Sequence, residues 1–216
     1  MYVIKDLNFT YDTGQVIFQN ASLDLDSQKL TGLTGKNGSG KTTFCRLLCG
    51  LITRYAGSIK LQDKNLKEMS TAEIARTVTY IKQEALANIV AATPSEDLTL
   101  WLHRFSSGNI GDAKTINPAL EQFKIAECKD KPIWEMSSGQ IRRINLAALL
   151  LNPDKYWIID EPMAGLDADI QNIFIKMLLN KRNSGTGALV ISHDQGYLMQ
   201  HLDYVYQIED QKFKVS

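Results

Sequence analysis

The sequence predicts an α/β protein, a mostly parallel sheet with flanking helices, and three observations carry that expectation. An apolar strand from Leu30 to Thr34 runs through the glycine-rich stretch Gly35 to Gly40 into apolar residues at helical spacing from Thr42 to Cys49. A second apolar run, Tyr156 to Ile159, ends in Asp160-Glu161 and leads into a helical pattern from about Asp167 to Lys181. A third strand, Leu189-Val190-Ile191, follows, and strands alternating with helices imply parallel pairing.

The remaining elements fall around this core. Ahead of it, Leu7, Phe9 and Tyr11 alternate on one face, followed by Val16-Ile17-Phe18 and by Ala21, Leu23 and Leu25, with Asp12-Thr13-Gly14 as a turn. This reads as a small N-terminal antiparallel β-subdomain. Gly50 stops the first helix. From about Glu84 to Ser138 helical signals take over. Thr93-Pro94-Ser95-Glu96 joins an N-cap, a proline at the first helical position and a capping-box acid; Asn117-Pro118 opens another helix toward Phe123. A helix from about Gly139 to Leu151 follows, and two short strands around Tyr204–Ile208 and Lys212–Val215 close the chain. The expected organisation is one domain over 1–216, with an α/β core and β-subdomain at about 1–83 and 152–216 and a helical subdomain at about 84–151.

Composition narrows the function classes. At 216 residues roughly 70% of the unfolded chain's surface can be buried, so a core forms without staples. Lys and Arg number 24 against 24 Asp and Glu, and this neutrality lacks the broad positive field that drives direct nucleic-acid or anionic-lipid binding. Cys45, Cys49 and Cys128 are odd in number with no zinc-site spacing, so unpaired thiols in a reducing compartment are expected. Cys45 and Cys49, one helical turn apart, could share a metal and are read as small core residues. The N-terminus shows no secretory pattern, and the longest apolar run, Leu146 to Leu151, is far short of a bilayer span.

Gly35-Lys36-Asn37-Gly38-Ser39-Gly40-Lys41-Thr42 fits the phosphate-binding pattern G-x-x-x-x-G-K-[ST] and sits between a strand and a helix, as the pattern requires. Glycines let successive N–H groups curl toward phosphate oxygens, and the helix start adds its positive dipole end. Lys41 neutralises the β- and γ-phosphates, and the Thr42 hydroxyl is a hard ligand for Mg²⁺. Asp160 and Glu161 end a buried parallel strand where ligands of α/β sheets bind, so Asp160 is a candidate Mg²⁺ support and Glu161 the acid facing an attacking water. A solvated strand end is the plainer alternative. Ser137-Ser138-Gly139-Gln140 opens the next helix, either as a simple N-cap or as a second phosphate-reading start that serves a partner's nucleotide.

Taken together these residues resemble the ATP-binding-cassette (ABC) ATPases, over nearly the whole chain and in that family's order. Gln83 in Tyr80-Ile81-Lys82-Gln83-Glu84 looks like the glutamine loop, Met136-Ser137-Ser138-Gly139-Gln140 like the signature, Glu161 to Asp167 like the loop ending in Leu-Asp, and His193 in Ile191-Ser192-His193-Asp194 like the switch histidine. The resemblance implies nucleotide contacts at Tyr11 (stacked on adenine), Gly35, Asn37, Gly38, Ser39, Gly40, Lys41, Thr42 and Thr43, and at Ser137, Gly139 and Gln140 across a dimer. It implies catalytic roles for Glu161, His193, Lys41 and Gln83, and Mg²⁺ contacts at Thr42, Gln83 and Asp160. Asp167 is equally an N-cap for the helix that follows. Met136 and Ser138 depart from the family's leucine and first glycine.

The resemblance further implies the P-loop ABC ATPase fold, ATP and Mg²⁺ as cofactors, and a head-to-tail homodimer or heterodimer with a second ABC ATPase. Integral membrane transporter subunits and a place on the cytoplasmic face of the membrane follow from it. Gln83-Glu84-Ala85, Asn88-Ile89, Thr93-Pro94-Ser95-Glu96-Asp97-Leu98, Ala164-Gly165-Leu166-Asp167 and the pair Arg142-Arg143 look like the subgroup serving energy-coupling-factor and cobalt-type importers of vitamins or metal ions. Two alternatives stand beside it: a non-transport ABC ATPase acting on a ribosome or DNA, and another P-loop phosphotransferase.

Overall fold

A six-stranded sheet in the order β10-β9-β3-β8-β7-β6 forms the centre of the computed structural model, which describes residues 1–103, 112–193, 196 and 198–215. In chain order the strands are β1 (Tyr2–Thr10), β2 (Val16–Leu25), β3 (Leu30–Gly35), β4 (Ala56–Leu61), β5 (Lys64–Asn65), β6 (Val78–Ile81), β7 (Tyr156–Asp160), β8 (Ala188–Ile191), β9 (Tyr204–Glu209) and β10 (Lys212–Val215). β9, β3, β8, β7 and β6 run parallel, and β10 pairs antiparallel at the edge. The helices are α1 (Lys41–Leu48), α2 (Thr71–Thr77), α3 (Pro94–His103), α4 (Asp112–Gln122), α5 (Ser138–Leu150) and α6 (Ala168–Asn183).

Each central strand is buried on both faces, and the period of two splits its side chains between two cores. Tyr156, Ile158, Leu189 and Ile191 face one cluster with α1 residues Phe44, Leu47 and Leu48. Trp157, Ile159, Ala188 and Val190 face the other, with Ile144 and Ala148 of α5 and Phe174 and Leu178 of α6. Lys181 joins two of these layers. Its Nζ donates to the carbonyls of Pro153 (2.8 Å) and Lys155 (2.6 Å) and sits 3.9 Å over the Trp157 ring.

The N-terminal antiparallel sheet forms as the alternation predicts, but in four strands, β2-β1-β4-β5. β1 begins earlier than the alternation from Leu7 shows, because the pleat slips within it. Tyr2 and Ile4 point inward, then Leu7 and Phe9, with a register shift between Ile4 and Leu7 and Asp6 at φ 49°. A second left-handed residue, Asn20 at φ 50°, lies on β2 beside it, where Asn8 and Asn20 exchange hydrogen bonds.

The stretch from β4 to β6, which carried no sequence expectation, supplies two strands of that sheet, helix α2 and the edge strand β6. α2 runs directly into β6 with no turn residue between them, and Ala56-Gly57-Ser58 opens β4 with poor strand formers. The helix expected to open at Asn117-Pro118 is different in the structure: α4 begins at Asp112 and Pro118 lies inside it. The buried stripe Ile116, Ala119, Leu120 and Phe123 runs through the proline and holds the turns on either side of it. Cys45 is fully buried within α1, which pushes its thiol well above the ordinary range, and among the described residues no cluster of metal-ligating side chains exists.

Candidate functional site

Parallel register places the carboxyl ends of four strands at one edge of the sheet. Asp160 of β7 pairs with Ile191 of β8, Ile81 of β6 pairs with Ile159 of β7, and Leu33 of β3 pairs with Ile191. The residues just past those pairs, Gly35, Gln83, Glu161 and His193, are therefore delivered to the same edge although 158 positions separate the first from the last. A cleft of about 400 Å³ opens there.

The loop from Gly35 to Gly40 wraps the mouth of this cleft. Gly40 is the N-cap of α1 at φ 108°, a conformation for glycine, and a Cβ on it would stand 2.4 Å from Ile17 Cγ2. With no side chain at the cap, the first N–H groups of α1 stay available to an anion. Lys41 Nζ lies back along the loop and donates to the carbonyls of Gly35 (2.8 Å) and Lys36 (3.2 Å). Ser39 packs under the loop beside Gly35, its hydroxyl oxygen 2.6 Å from where a Gly35 Cβ would stand. Tyr11, which also lines the cleft, shares a hydrogen bond of 2.8 Å with the Thr43 hydroxyl and packs edge-on against Phe9.

The acids sit opposite. Asp160 is 1% exposed; burial pushes its carboxyl above the ordinary range, and the Thr42 hydroxyl, donating to its Oδ2 at 2.7 Å, opposes that shift. Glu161 takes φ 52°, an uncommon conformation for a residue with a long side chain, while its N–H still donates to the Ile191 carbonyl at 3.0 Å. Its buried carboxylate meets His193, whose side chain is 67% exposed, at 2.7 Å between Oε2 and Nδ1. Asp194, the last residue of that stretch, lies outside the described residues.

The structure thus brings Tyr11, Asn37, Gly38, Gly40, Lys41, Thr42, Thr43, Gln83, Asp160 and Glu161 around one cleft. Gly35 and His193 border an adjoining groove. Ser137, Gly139 and Gln140 are not among the cleft's walls. Instead they open α5 in a reciprocal capping box, with Gln140 N–H donating to Ser137 Oγ at 3.2 Å and Ser137 N–H to Gln140 Oε1 at 2.9 Å. Gly139 packs on the loop after the acids, since a Cβ there would lie 3.3 Å from the Gly165 carbonyl oxygen. Asp167 both caps α6, accepting from Ile170 N–H at 2.9 Å, and accepts from Arg143 at 2.6 Å. Met136 keeps the signature's first position apolar and buried, and the Ser138 side chain faces solvent.

One residue near the acids has no candidate role from sequence. Arg142 donates to the main-chain carbonyls of both Glu161 and Gln83. The sequence marks it only as half of the pair Arg142-Arg143, because a contact to a carbonyl leaves no residue-type signal at the partner.

The donor set suits a hard divalent cation. Thr42 Oγ1 and the buried Asp160 carboxylate lie side by side in the cleft, both hard oxygen donors, and Gln83 also lines it.

The model for the ABC transporter family matches residues 18–164. The chain is similar to a putative ABC transporter ATP-binding protein of Pyrococcus horikoshii, 27% identical over 214 residues, 99% of this chain and 82% of that protein. It is similar to a cytochrome c biogenesis ATP-binding export protein of Pseudomonas syringae, 35% identical over 71% of this chain and 70% of that protein. A putative HMP/thiamine import ATP-binding protein of Bacillus subtilis is 29% identical over 91% of this chain but only 35% of its own length. Among solved structures, a dimeric ATP-binding cassette in a post-hydrolysis state, bound to ADP and Pi, superposes with TM-score 0.89 at 18% identity, covering 100% of this chain and 98% of that one. CbiO1 of Clostridium perfringens, part of the ABC transporter complex cbiONQ, superposes with TM-score 0.82 at 22% identity, covering 99% and 86%.

Proposed function

The chain belongs to the ABC transporter family of ATPases, and on that premise we propose that it is the ATP-hydrolysing subunit of an energy-coupling-factor or cobalt-type importer of a vitamin or metal ion. The observation that carries the chemistry is the pairing at one cleft edge of Thr42 with Asp160 and of Glu161 with His193, each at 2.7 Å, across from the phosphate-type loop. The subgroup reading is supported by Thr93 to Leu98, by Arg142-Arg143 and by the likeness to a relative named for HMP/thiamine import and to CbiO1, part of the ABC transporter complex cbiONQ.

In this reading Tyr11 stacks on adenine, and Lys41 exchanges its contacts with the Gly35 and Lys36 carbonyls for the β- and γ-phosphates. Gly35, Asn37, Gly38, Ser39, Gly40, Thr42 and Thr43 cradle the phosphate chain through the loop and the start of α1. Mg²⁺, held by Thr42, Gln83 and Asp160, would neutralise charge on the β- and γ-oxygens. The Glu161 carboxylate orients and polarises a water in line with the γ-phosphorus; the water-oxygen bond to phosphorus forms as the bond to the β–γ bridging oxygen breaks. His193 holds Glu161 by its Nδ1 and, being exposed, turns its other ring edge to the γ-phosphate. Ser137, Gly139 and Gln140 belong to the nucleotide of a second subunit packed head to tail, which explains their place outside the cleft of their own chain.

The domain is one cassette, with a core and β-subdomain at about 1–83 and 152–216 and a helical subdomain at about 84–151, a division supported by the run of helices α3 to α5 between β6 and β7. Among the described residues no helix is long and apolar enough to cross a membrane. In this reading separate integral membrane subunits carry the transport and the cassette works at their cytoplasmic face, which the likeness to CbiO1, part of the ABC transporter complex cbiONQ, supports. Exposed Leu86, Val90 and Trp134 support a docking role for the stretch after Gln83, and Ile133 N–H, donating to the Ala92 carbonyl at 2.9 Å, ties the segment before the signature to that stretch.

Glu161→Gln is expected to bind ATP as the parent does, to lose nearly all hydrolysis, and to accumulate as an ATP-bound dimer. Nucleotide binding, phosphate release and gel filtration check it, and parental turnover would remove Glu161 from the mechanism. Purification from the membrane fraction is expected to recover integral membrane proteins with the chain. Repeated recovery without any would sink the transport reading.

A further inference from the structure

The signature helix carries a side chain that reaches the acid from behind. Arg142 lies in the second turn of α5, five residues after the cap Ser137. One arm of its guanidinium donates to the Glu161 carbonyl at 2.8 Å and the other to the Gln83 carbonyl at 2.9 Å. Both distances are those of full hydrogen bonds, and the rigid planar fork fixes the two acceptors relative to each other. The Glu161 carbonyl belongs to the residue held at φ 52°, so the contact bears on a backbone that would otherwise relax. One turn further along α5, Asn145 donates to the buried Ala85 carbonyl at 2.8 Å, so a single helix face grips the main chain of the glutamine loop at two points. Burial pulls the pKa of the guanidinium below its ordinary value, and the charges of Glu161, Asp160 and Glu84 oppose that shift.

We propose that Arg142 is a positioning residue for hydrolysis: by bridging the main-chain carbonyls of Glu161 and Gln83 it holds the acid's backbone and the glutamine loop in one fixed geometry. The proposal rests on the reading of Glu161 as the acid that orients water. Arg142 touches neither nucleotide nor water in this scheme. Its loss therefore weakens the step that needs Glu161 in place and spares the binding of ATP.

The test compares steady-state ATP hydrolysis and thermal unfolding of the full chain with those of Arg142→Met, Arg142→Lys and Glu161→Gln. Arg142→Met removes both bonds at similar length, and its kcat is expected to fall about tenfold or more while KM for ATP stays within about twofold of the parent. Arg142→Lys can reach one carbonyl at a time and is expected to fall between the two. A purely structural staple would lower the unfolding midpoint and leave kcat of the folded protein at the parental value. That result, or a loss carried entirely by KM, overturns the proposal. If Arg142→Met does not fold, Arg142→Lys decides: reduced kcat at parental KM supports the bridge, and parental kcat overturns it in either case. Glu161→Gln separates the two readings. Parental turnover there defeats the assignment of Glu161 itself, whereas an inactive Glu161→Gln beside fully active Arg142 variants defeats the bridge alone.

Discussion

Asp160 shows how a single residue is placed for function at a cost in stability. Its carboxylate is buried with one hydroxyl donor, and burial raises its pKa above that of the unfolded chain. A raised acid stabilises the folded state while protonated, below the ordinary carboxylate range, and that contribution is lost as pH rises through the folded value. At neutral pH the charged form therefore works against the nucleotide-free fold. Asp160→Asn is expected to melt above the parent at pH 7 without nucleotide, with the difference closing as the pH falls into the carboxylate range, and to have almost no ATPase activity. Scanning calorimetry at several pH values and a phosphate-release assay check both parts. The residue was legible in the sequence because two acids ending a four-residue apolar run is an uncommon pattern. The left-handed backbone of Glu161 was not, since nothing in Ile159-Asp160-Glu161-Pro162 demands φ 52° until the strand's neighbours fix it.

Among the elements, most of those with punctuation were legible; α2 is the exception, since its start carries the capping box of Ser70 and Glu73 without having been expected. Ser137, Asp167 and Thr93 sit at helix starts as the capping patterns predict, each accepting from a backbone N–H in the first turn. β6 and α2 share no turn signal, and β1 loses its phase at Asp6, so periodicity alone could not recover them. α4 is the informative failure. A proline is predicted at a helix start, but here the apolar stripe through Ile116 and Leu120 keeps the helix continuous around it. Pro118→Ala restores a helical N–H donor, partly offset by a freer unfolded chain, and is expected to raise stability by about 1–2 kcal/mol. Urea denaturation measures it; no change would place the helix start at Asn117 after all.

At the scale of the molecule, the proposed nucleotide contacts fall in two places: the cleft holding Lys41 and Glu161, and the capped start of α5 at Ser137, which is not among that cleft's walls. If each nucleotide lies between the cleft of one subunit and the α5 start of another, two different defects complement. Lys41→Ala and Ser137→Arg are each expected to be inactive alone, and their mixture to hydrolyse ATP, because a mixed dimer contains one intact pair of half-sites. An inactive mixture of folded, associating proteins would count against the head-to-tail arrangement.

The sequence by itself determined the family, the α/β class and the identity of almost every cleft residue, because phosphate and cation chemistry demands particular residue types at short spacings. It also marked most helix starts, where the cap is a side chain. Tertiary structure alone decided which of those residues meet. The parallel register aligns the ends of β3, β6, β7 and β8 at one edge, and the bridge from Arg142 runs to carbonyls that every residue possesses. A main-chain acceptor leaves no trace in residue identity, so that contact exists only once α5 is packed against the ends of the strands.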